Sequence, residues 1–249
     1  IAFVVGWQRL IPSVILENMS VGAFGMHGSS MDLPLGRGRS PMNWSILEGR
    51  KCYYANLFKY DTGADSGNIL DTFKFNINDN DTGETMHFKQ TLAMRRMIEN
   101  NFDDLIGNTI TLKKQKDVTP TYYPKRNPSD SLIDWNMNIN DLDRFIRAVT
   151  RPFNGAYCYT SESKVIIYNS QILDTLDFGY EQEENGKIVE VFPNKKFLVK
   201  CSGGLLLVND YTIYDGTIKK GEVLNVGNEE IHYFKTNKYG YYDLEEHDE

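Results

Sequence analysis

The run Gly25-Met26-His27-Gly28-Ser29-Ser30-Met31-Asp32-Leu33-Pro34-Leu35-Gly36-Arg37-Gly38-Arg39-Ser40-Pro41-Met42-Asn43-Trp44 interrupts the apolar periodicity on either side of it. It is rich in glycine, carries one histidine, two prolines and two arginines, and is followed at once by a helix signal. Such a stretch between apolar strands is a shaped loop, and loops held on a rigid scaffold are where chemistry concentrates. One strand later comes a second loop, Asp61-Thr62-Gly63-Ala64-Asp65-Ser66-Gly67.

Upstream, Ile1 to Val5 reads as a buried strand, Gly6 to Pro12 as the loop leaving it, and Ser13 as the N-cap of a short helix through Leu16. Val21 to Met26 reads as the next strand, ending at His27. Both Arg9-Leu10-Ile11 and His27 then sit at strand ends, where open α/β sheets bind ligands. The chain opens directly on a strand, so it is either processed or a fragment, and a fragment is the expectation. Downstream, Ser40 caps a helix with Pro41 at its first position and Gly49 beyond its end. Lys51 to Tyr60 and Ile69 to Ile77 are strands, Asp79 to Gly83 a turn, and Thr85 to Asn101 a helix with Phe88, Leu92 and Met97 toward one side. Strands alternating with helices give an α/β domain over residues 1–112, Rossmann-like in type.

Lysines 113, 114 and 116 with prolines 120, 124 and 128 mark residues 113–130 as a linker. A helix from Asp141 to Thr150 follows, with Leu142, Phe145, Ile146 and Val149 at helical spacing. After Gly155 the pattern is short strands, 156–159, 165–168, 187–192, 197–201 and 205–209, as in a small OB-like β-barrel within a domain of residues 131–225. Residues 226–249 form a polar, acidic tail, read either as disordered or as adding strands to a homodimer partner.

The totals exclude several classes. At 249 residues and 41% hydrophobic the chain can bury a sizeable core. A net charge of -7 argues against global attraction to nucleic acid or an anionic membrane, and no apolar run is long enough for membrane insertion. Cys52, Cys158 and Cys201 are odd in number and widely spaced, which suggests neither disulfides nor a zinc site and fits a cytoplasmic home.

Of the four histidines, only His27 follows a strand inside a glycine-rich loop. A carboxylate such as Asp65 beside it would orient the ring and favour its protonated form, making an acid/base pair. The alternative is a histidine that merely caps a turn.

The two loops together resemble the 10-formyltetrahydrofolate-dependent formyltransferases. His27-Gly28-Ser29, Leu33-Pro34, Arg37-Gly38-Arg39 and Pro41 correspond to that family's first loop, and Asp61 to Gly67 to its second. The Arg-Gly-Arg-Ser-Pro-Met-Asn-Trp form is that of sugar N-formyltransferases, such as the formyltransferase domain of the bifunctional UDP-4-amino-4-deoxy-L-arabinose enzyme of bacterial lipid A modification. The resemblance continues through Pro128 to Trp135 and Arg147 to Ala156, and also extends to methionyl-tRNA formyltransferase.

The resemblance implies that His27 and Asp65 are catalytic and that the formyl donor is 10-formyltetrahydrofolate, with no metal required. It implies that Arg9, Leu10, Ile11 and Arg39, with Asp61, Thr62, Gly63, Ala64 and Asp65, hold the folate. A nucleotide-linked amino sugar is the implied acceptor, with Asn43 and Trp44 as substrate contacts, and Asp32, carried by residues the family lacks, is the further expected contact. Trp44 also fits a helix core position, and Trp135 either stacks on a base or packs under the linker. Residues 181–249 carry 8 lysines and no arginine against 14 acidic residues, a poor platform for tRNA. The sequence departs from the family at Gly25, where the family has the asparagine that donates to the oxyanion. Loss of one such donor costs on the order of 10²- to 10³-fold in rate. Gly25 therefore opens a further reading, a non-catalytic or hydrolytic homologue. A second departure is two extra residues within Ser30-Met31-Asp32, which lengthen the first loop.

Overall fold

The structure, a computed structural model, describes residues 1–7 and 9–243. It divides into two compact units, one made of residues 1–79, 85–125 and the segment from 234, the other of residues 80–84 and 126–233.

The first unit contains β1 (Ala2–Val4), α1 (Ser13–Glu17), β2 (Ala23–Ser29), β3 (Arg37–Gly38), α2 (Pro41–Leu47), β4 (Cys52–Lys59) and β5 (Ile69–Asn76). Most of α3 (Gly83–Asn100) follows, then α4 (Phe102–Gly107) and β6 (Tyr122–Tyr123). The main sheet runs β1-β2-β4-β5; β1 is parallel to β2, and β4 is antiparallel to both its neighbours. The α/β expectation holds, with a mixed sheet. Alternation along β2 and β4 sorts the residues between two faces. Phe24, Ala55 and Leu57 join Ala93, Met97 and Leu105 in one core cluster. Gly25, His27, Asn56 and Phe58 take the opposite face by parity, and Phe58 packs with Leu33 and Ile69.

Several local expectations are corrected. β2 runs on to Ser29, because Gly28 and Ser29 still pair with Ala55 and Tyr54, so His27 lies inside the strand rather than at its end. Pro12, not Ser13, is the N-cap of α1. Ser40 is the N-cap of α2, but at φ 53° it is left-handed and its side chain makes no cap bond, since such a bond needs an extended N-cap residue. On α3 the buried side chains after Gly83 are Met86, Ala93 and Met97, which fall within about 40° of one another at 100° per residue. Phe88 and Leu92 lie on the far side, 59% and 65% exposed.

The second unit contains α5 (Ile139–Val149), β7 (Ala156–Tyr159), β8 (Lys164–Asp174), β9 (Ile188–Val191), β10 (Phe197–Cys201) and β11 (Gly204–Ile213). The helix begins two residues before the expected Asp141, because the Asn138 side chain caps it by accepting the Asn140 N–H at 3.0 Å. Its stripe of Leu142, Phe145, Ile146 and Val149 is buried, and it packs against β8 and β11. The sheet is antiparallel in the order β7-β8-β11-β10-β9. The expected OB-like β-barrel is not confirmed: no closed barrel is found among the described residues. Its edges meet only isolated bridges, Tyr159 with Asn225 and Lys187 with Val223, whereas closure needs a continuous ladder. Trp135 is 5% exposed and lies against Gly186, so it packs rather than offering a stacking face.

Candidate active site

The first loop is tied down at its arginine end. β3 pairs in parallel with β6, the Arg37 N–H donates to the Thr121 carbonyl at 2.9 Å, and the Arg39 N–H donates to the Tyr123 carbonyl at 2.9 Å. Gly38 has φ 95°, and a Cβ there would sit 2.5 Å from the Tyr123 carbonyl oxygen, so only glycine lets the two backbones approach. The residues that composition marks as linker thus include one strand of this small sheet.

The second loop is closed from inside. Asp61 Oδ1 accepts the Gly63 N–H at 3.0 Å and the Ser66 hydroxyl at 2.5 Å. Asp65 takes a left-handed backbone, φ 52°, which a short polar residue tolerates. Gln115 fixes that turn: its Nε2 donates to the Asp65 carbonyl at 2.7 Å and the Gly67 carbonyl at 2.9 Å. Its Oε1 accepts from the Arg37 guanidinium at 2.8 Å. Arg37 is 8% exposed and also reaches the Tyr122 hydroxyl at 3.4 Å, while its Nε has no partner.

These two loops bring His27 and Asp65 together. His27 Nδ1 lies 3.3 Å from Asp65 Oδ2, and the same oxygen accepts the Gly38 N–H at 3.2 Å. His27 Nε2 lies 2.9 Å from the Gly36 carbonyl oxygen. A carbonyl can only accept, so in this contact Nε2 is the donor and Nδ1 is the nitrogen that faces the carboxylate. His27 is 8% exposed, which keeps bulk water from competing for either contact. Across the ladder, Asn56 pairs with His27 but is committed elsewhere: its Oδ1 accepts the Thr72 hydroxyl at 2.7 Å.

Beside Gly25 the space is filled by Tyr60. A Cβ built on Gly25 would run into the Tyr60 ring and hydroxyl. Tyr60 follows β4, donates its N–H to the Ala23 carbonyl at 2.8 Å, and packs its ring on Phe58 at 5.2 Å between centroids. Burial, and then the charge of Asp65, hold the phenol above its ordinary pKa of 10.0.

The remaining expected residues are more dispersed. Arg9 and Leu10 are exposed and Ile11 is half-buried, in the loop between β1 and α1. β1 is parallel to β2 with Val4 opposite Gly25, so this loop leaves from the sheet end toward which His27 points along the chain. Arg39, Asp61, Thr62 and Ala64 are exposed, Gly63 less so. Asp32 makes a surface ion pair with Lys116 at 2.7 Å, which raises the Lys116 pKa. Asn43 and Trp44 are 6% and 3% exposed on α2. The Trp44 N–H donates to the Pro124 carbonyl at 2.9 Å, and its ring is covered by Tyr123, Phe234 and Tyr242. That is a packing role; a substrate contact from the indole would require those rings to move. Phe234 and Tyr242 belong to the acidic tail, whose residues 244–249 lie outside the described residues. Three residues at the centre, Arg37, Tyr60 and Gln115, escaped the sequence reading. Only Arg37 had a signal there, within Arg-Gly-Arg. Among the described residues no cluster of three or more His, Cys, Asp or Glu has the arrangement of a metal site, and no helix is long and apolar enough to cross a membrane.

Residues 125–229 match the family described as formyl transferase, C-terminal domain. The chain is 33% identical over 166 residues to the bifunctional polymyxin resistance protein ArnA of Wigglesworthia glossinidia brevipalpis, an alignment that takes in 67% of this chain and 25% of that protein. The chain therefore spans about a quarter of the length of this curated relative. Its fold matches HypX from Aquifex aeolicus with a TM-score of 0.68 at 14% identity, over 86% of this chain and 36% of that one. It also matches an N-formyltransferase of Helicobacter canadensis, solved with folinic acid and dTDP-3-aminofucose, with a TM-score of 0.62 at 21% identity, over 84% of this chain and 73% of that one. Residues 125–229 are thus similar to the formyl transferase C-terminal domain family.

Proposed function

We propose that this chain transfers a formyl group from 10-formyltetrahydrofolate to the primary amine of a nucleotide-linked amino sugar. The observation that carries the reading is the 3.3 Å pair of His27 with Asp65, held by the Gly38 N–H inside two loops of formyltransferase form. The folinic acid and nucleotide sugar bound by the Helicobacter canadensis protein support the choice of donor and acceptor classes. The acidic balance of residues 181–249, net -6, supports a small-molecule acceptor over methionyl-tRNA.

In this mechanism the acceptor amine attacks the formyl carbon, and its electron pair forms the new C–N bond. The carbonyl oxygen becomes an oxyanion, toward which the His27 Nε2–H turns from the Gly36 carbonyl. Asp65 orients the imidazole and takes a proton from the attacking amine, directly or through water. The loop of Arg9, Leu10 and Ile11, with Arg39 and the turn from Asp61 to Asp65, holds the folate. Asp32 with Asn43 and Trp44 forms the acceptor side, Trp44 through the packing of α2. The same proposal divides the chain into a catalytic domain of residues 1–112, a linker, an OB-like domain of residues 131–225 and a tail, with a cytoplasmic home and a homodimeric assembly.

The test is mass detection of a formylated amine after incubation with 10-formyltetrahydrofolate and a panel of nucleotide-linked amino sugars. Formylation of a panel member supports the reading. Formylation of methionyl-tRNA alone assigns the tRNA acceptor, and formate with no formylated amine assigns a hydrolase.

A further inference from the structure

Gly25 and His27 stand two residues apart on β2, so both face the same side of the sheet, about 7 Å apart along the strand. Gly25 pairs with Phe58, and the Tyr60 N–H reaches the Ala23 carbonyl, which puts the Tyr60 side chain on that same side. The ring then leans along the strand over Gly25 and takes the volume a side chain at position 25 would fill. Phe58 packs against it, so the phenol is held by its ring and not by its hydroxyl. The hydroxyl has no hydrogen-bond partner among the described residues. Both His27 nitrogens, in contrast, are already engaged, with Asp65 and with the Gly36 carbonyl.

We infer that the Tyr60 hydroxyl is the second hydrogen-bond donor to the oxyanion in the formyl-transfer site, acting from the space left by Gly25 on the His27 face of the sheet. The inference rests on the proposed formyl-transfer reading. The amine lone pair forms the C–N bond while the carbonyl π pair moves to oxygen. That oxygen accepts from the Tyr60 O–H and the His27 Nε2–H, and Asp65 takes the proton the amine loses. On collapse the oxygen pair re-forms the carbonyl, the bond from carbon to the folate nitrogen breaks, and its electron pair leaves on that nitrogen, which receives the proton. Tyr60 donates a hydrogen bond throughout and loses no proton. Burial and the Asp65 charge keep the phenol protonated across the neutral range. Gly25 and Tyr60 are thus one device: a larger residue at 25 would displace the phenol.

The test is Tyr60→Phe in the full chain, with 10-formyltetrahydrofolate and the amino-sugar panel. The expected result is a fall in kcat of about 10²- to 10³-fold with KM changed by less than about 3-fold. Its thermal midpoint stays at the wild-type value, because Phe keeps the ring contact with Phe58. A second comparison sets Tyr60→Leu beside the double variant G25N/Y60L. The amide of the new asparagine should recover at least about tenfold in kcat over Tyr60→Leu alone. Tyr60→Phe with wild-type kcat overturns the inference and leaves formyl transfer standing. If the wild type releases only formate, the transferase reading fails, and the donor is tested on that reaction, whose oxyanion needs it equally: an unchanged rate in Tyr60→Phe overturns it. A wild type that neither transfers formyl nor releases formate overturns both.

Discussion

Gln115 is not part of either loop of formyltransferase form, yet the site geometry depends on it. Its amide donates to the Asp65 and Gly67 carbonyls at 2.7 and 2.9 Å and accepts from Arg37 at 2.8 Å. Each amide–carbonyl bond contributes roughly 1 kcal/mol net, and a bond from a charged donor roughly 1.5–3 kcal/mol. Gln115 is half-buried, so water recovers part of this, and Gln115→Ala should weaken the turn by about 3 kcal/mol. If that loss is local, the opening equilibrium of residues 65–67 rises by about 10²-fold, readable as faster amide exchange at Asp65, Ser66 and Gly67. A carboxylate displaced by about 1 Å from His27 costs on the order of 10²-fold in turnover. Gln115→Glu separates the two roles, because a carboxylate still accepts from Arg37 but cannot donate to the carbonyls. It should loosen the turn as well, though by less than the alanine does, since the Arg37 bond remains. Wild-type exchange at residues 65–67 in both variants would refute the reasoning, as would loosening in the alanine variant alone.

Trp44→Ala removes an indole packed by Tyr123, Phe234 and Tyr242 and should cost about 3–5 kcal/mol in denaturant melts; Trp44→Phe, which loses chiefly the bond to Pro124, should cost about 1 kcal/mol. Cys158 and Cys201 are fully buried, and burial pushes both thiols up, that of Cys201 to about 12. A thiol reagent should therefore label Cys52 alone in the native protein and all three cysteines after unfolding. Tyr53 and Tyr123 are buried and their phenols are raised well above the ordinary value of 10.0. Above pH 10 the unfolded chain releases protons that the folded chain keeps, so stability falls as pH rises, by about 1.4 kcal/mol per pH unit for each group. Urea midpoints measured at about pH 9 and about pH 11 check the sign, since a flat profile contradicts it.

Much of the architecture was legible because it follows from local periodicity and turn chemistry. Strands β2, β4 and β5 and the stripe on α5 announce themselves at periods of two and 3.6. The face of α3 did not, because three apolar residues suggested a stripe whose true members, Met86, Ala93 and Met97, include an alanine that hydrophobicity underweights. Closure of the small barrel was not legible for a different reason. Strand count and spacing are local, but whether edge strands meet in a ladder depends on register across the sheet, and here Tyr159 and Lys187 gain only isolated bridges.

For the site, the pattern of residues 25–44 and 61–67 already contained His27, Asp65 and the glycines that let the loops bend. Those are properties of residue types at short spacing. That His27 and Asp65 meet at 3.3 Å, that Arg37 rather than Arg39 turns inward, and that Gln115 pins the turn from fifty residues away are consequences of long-range contact. Gly25 states the division most clearly. By itself the sequence determined that position 25 has no side chain to donate a hydrogen bond. Only the tertiary structure decided what stands there instead, because the Tyr60 phenol reaches that space through antiparallel register and ring packing, which no stretch of residues encodes alone.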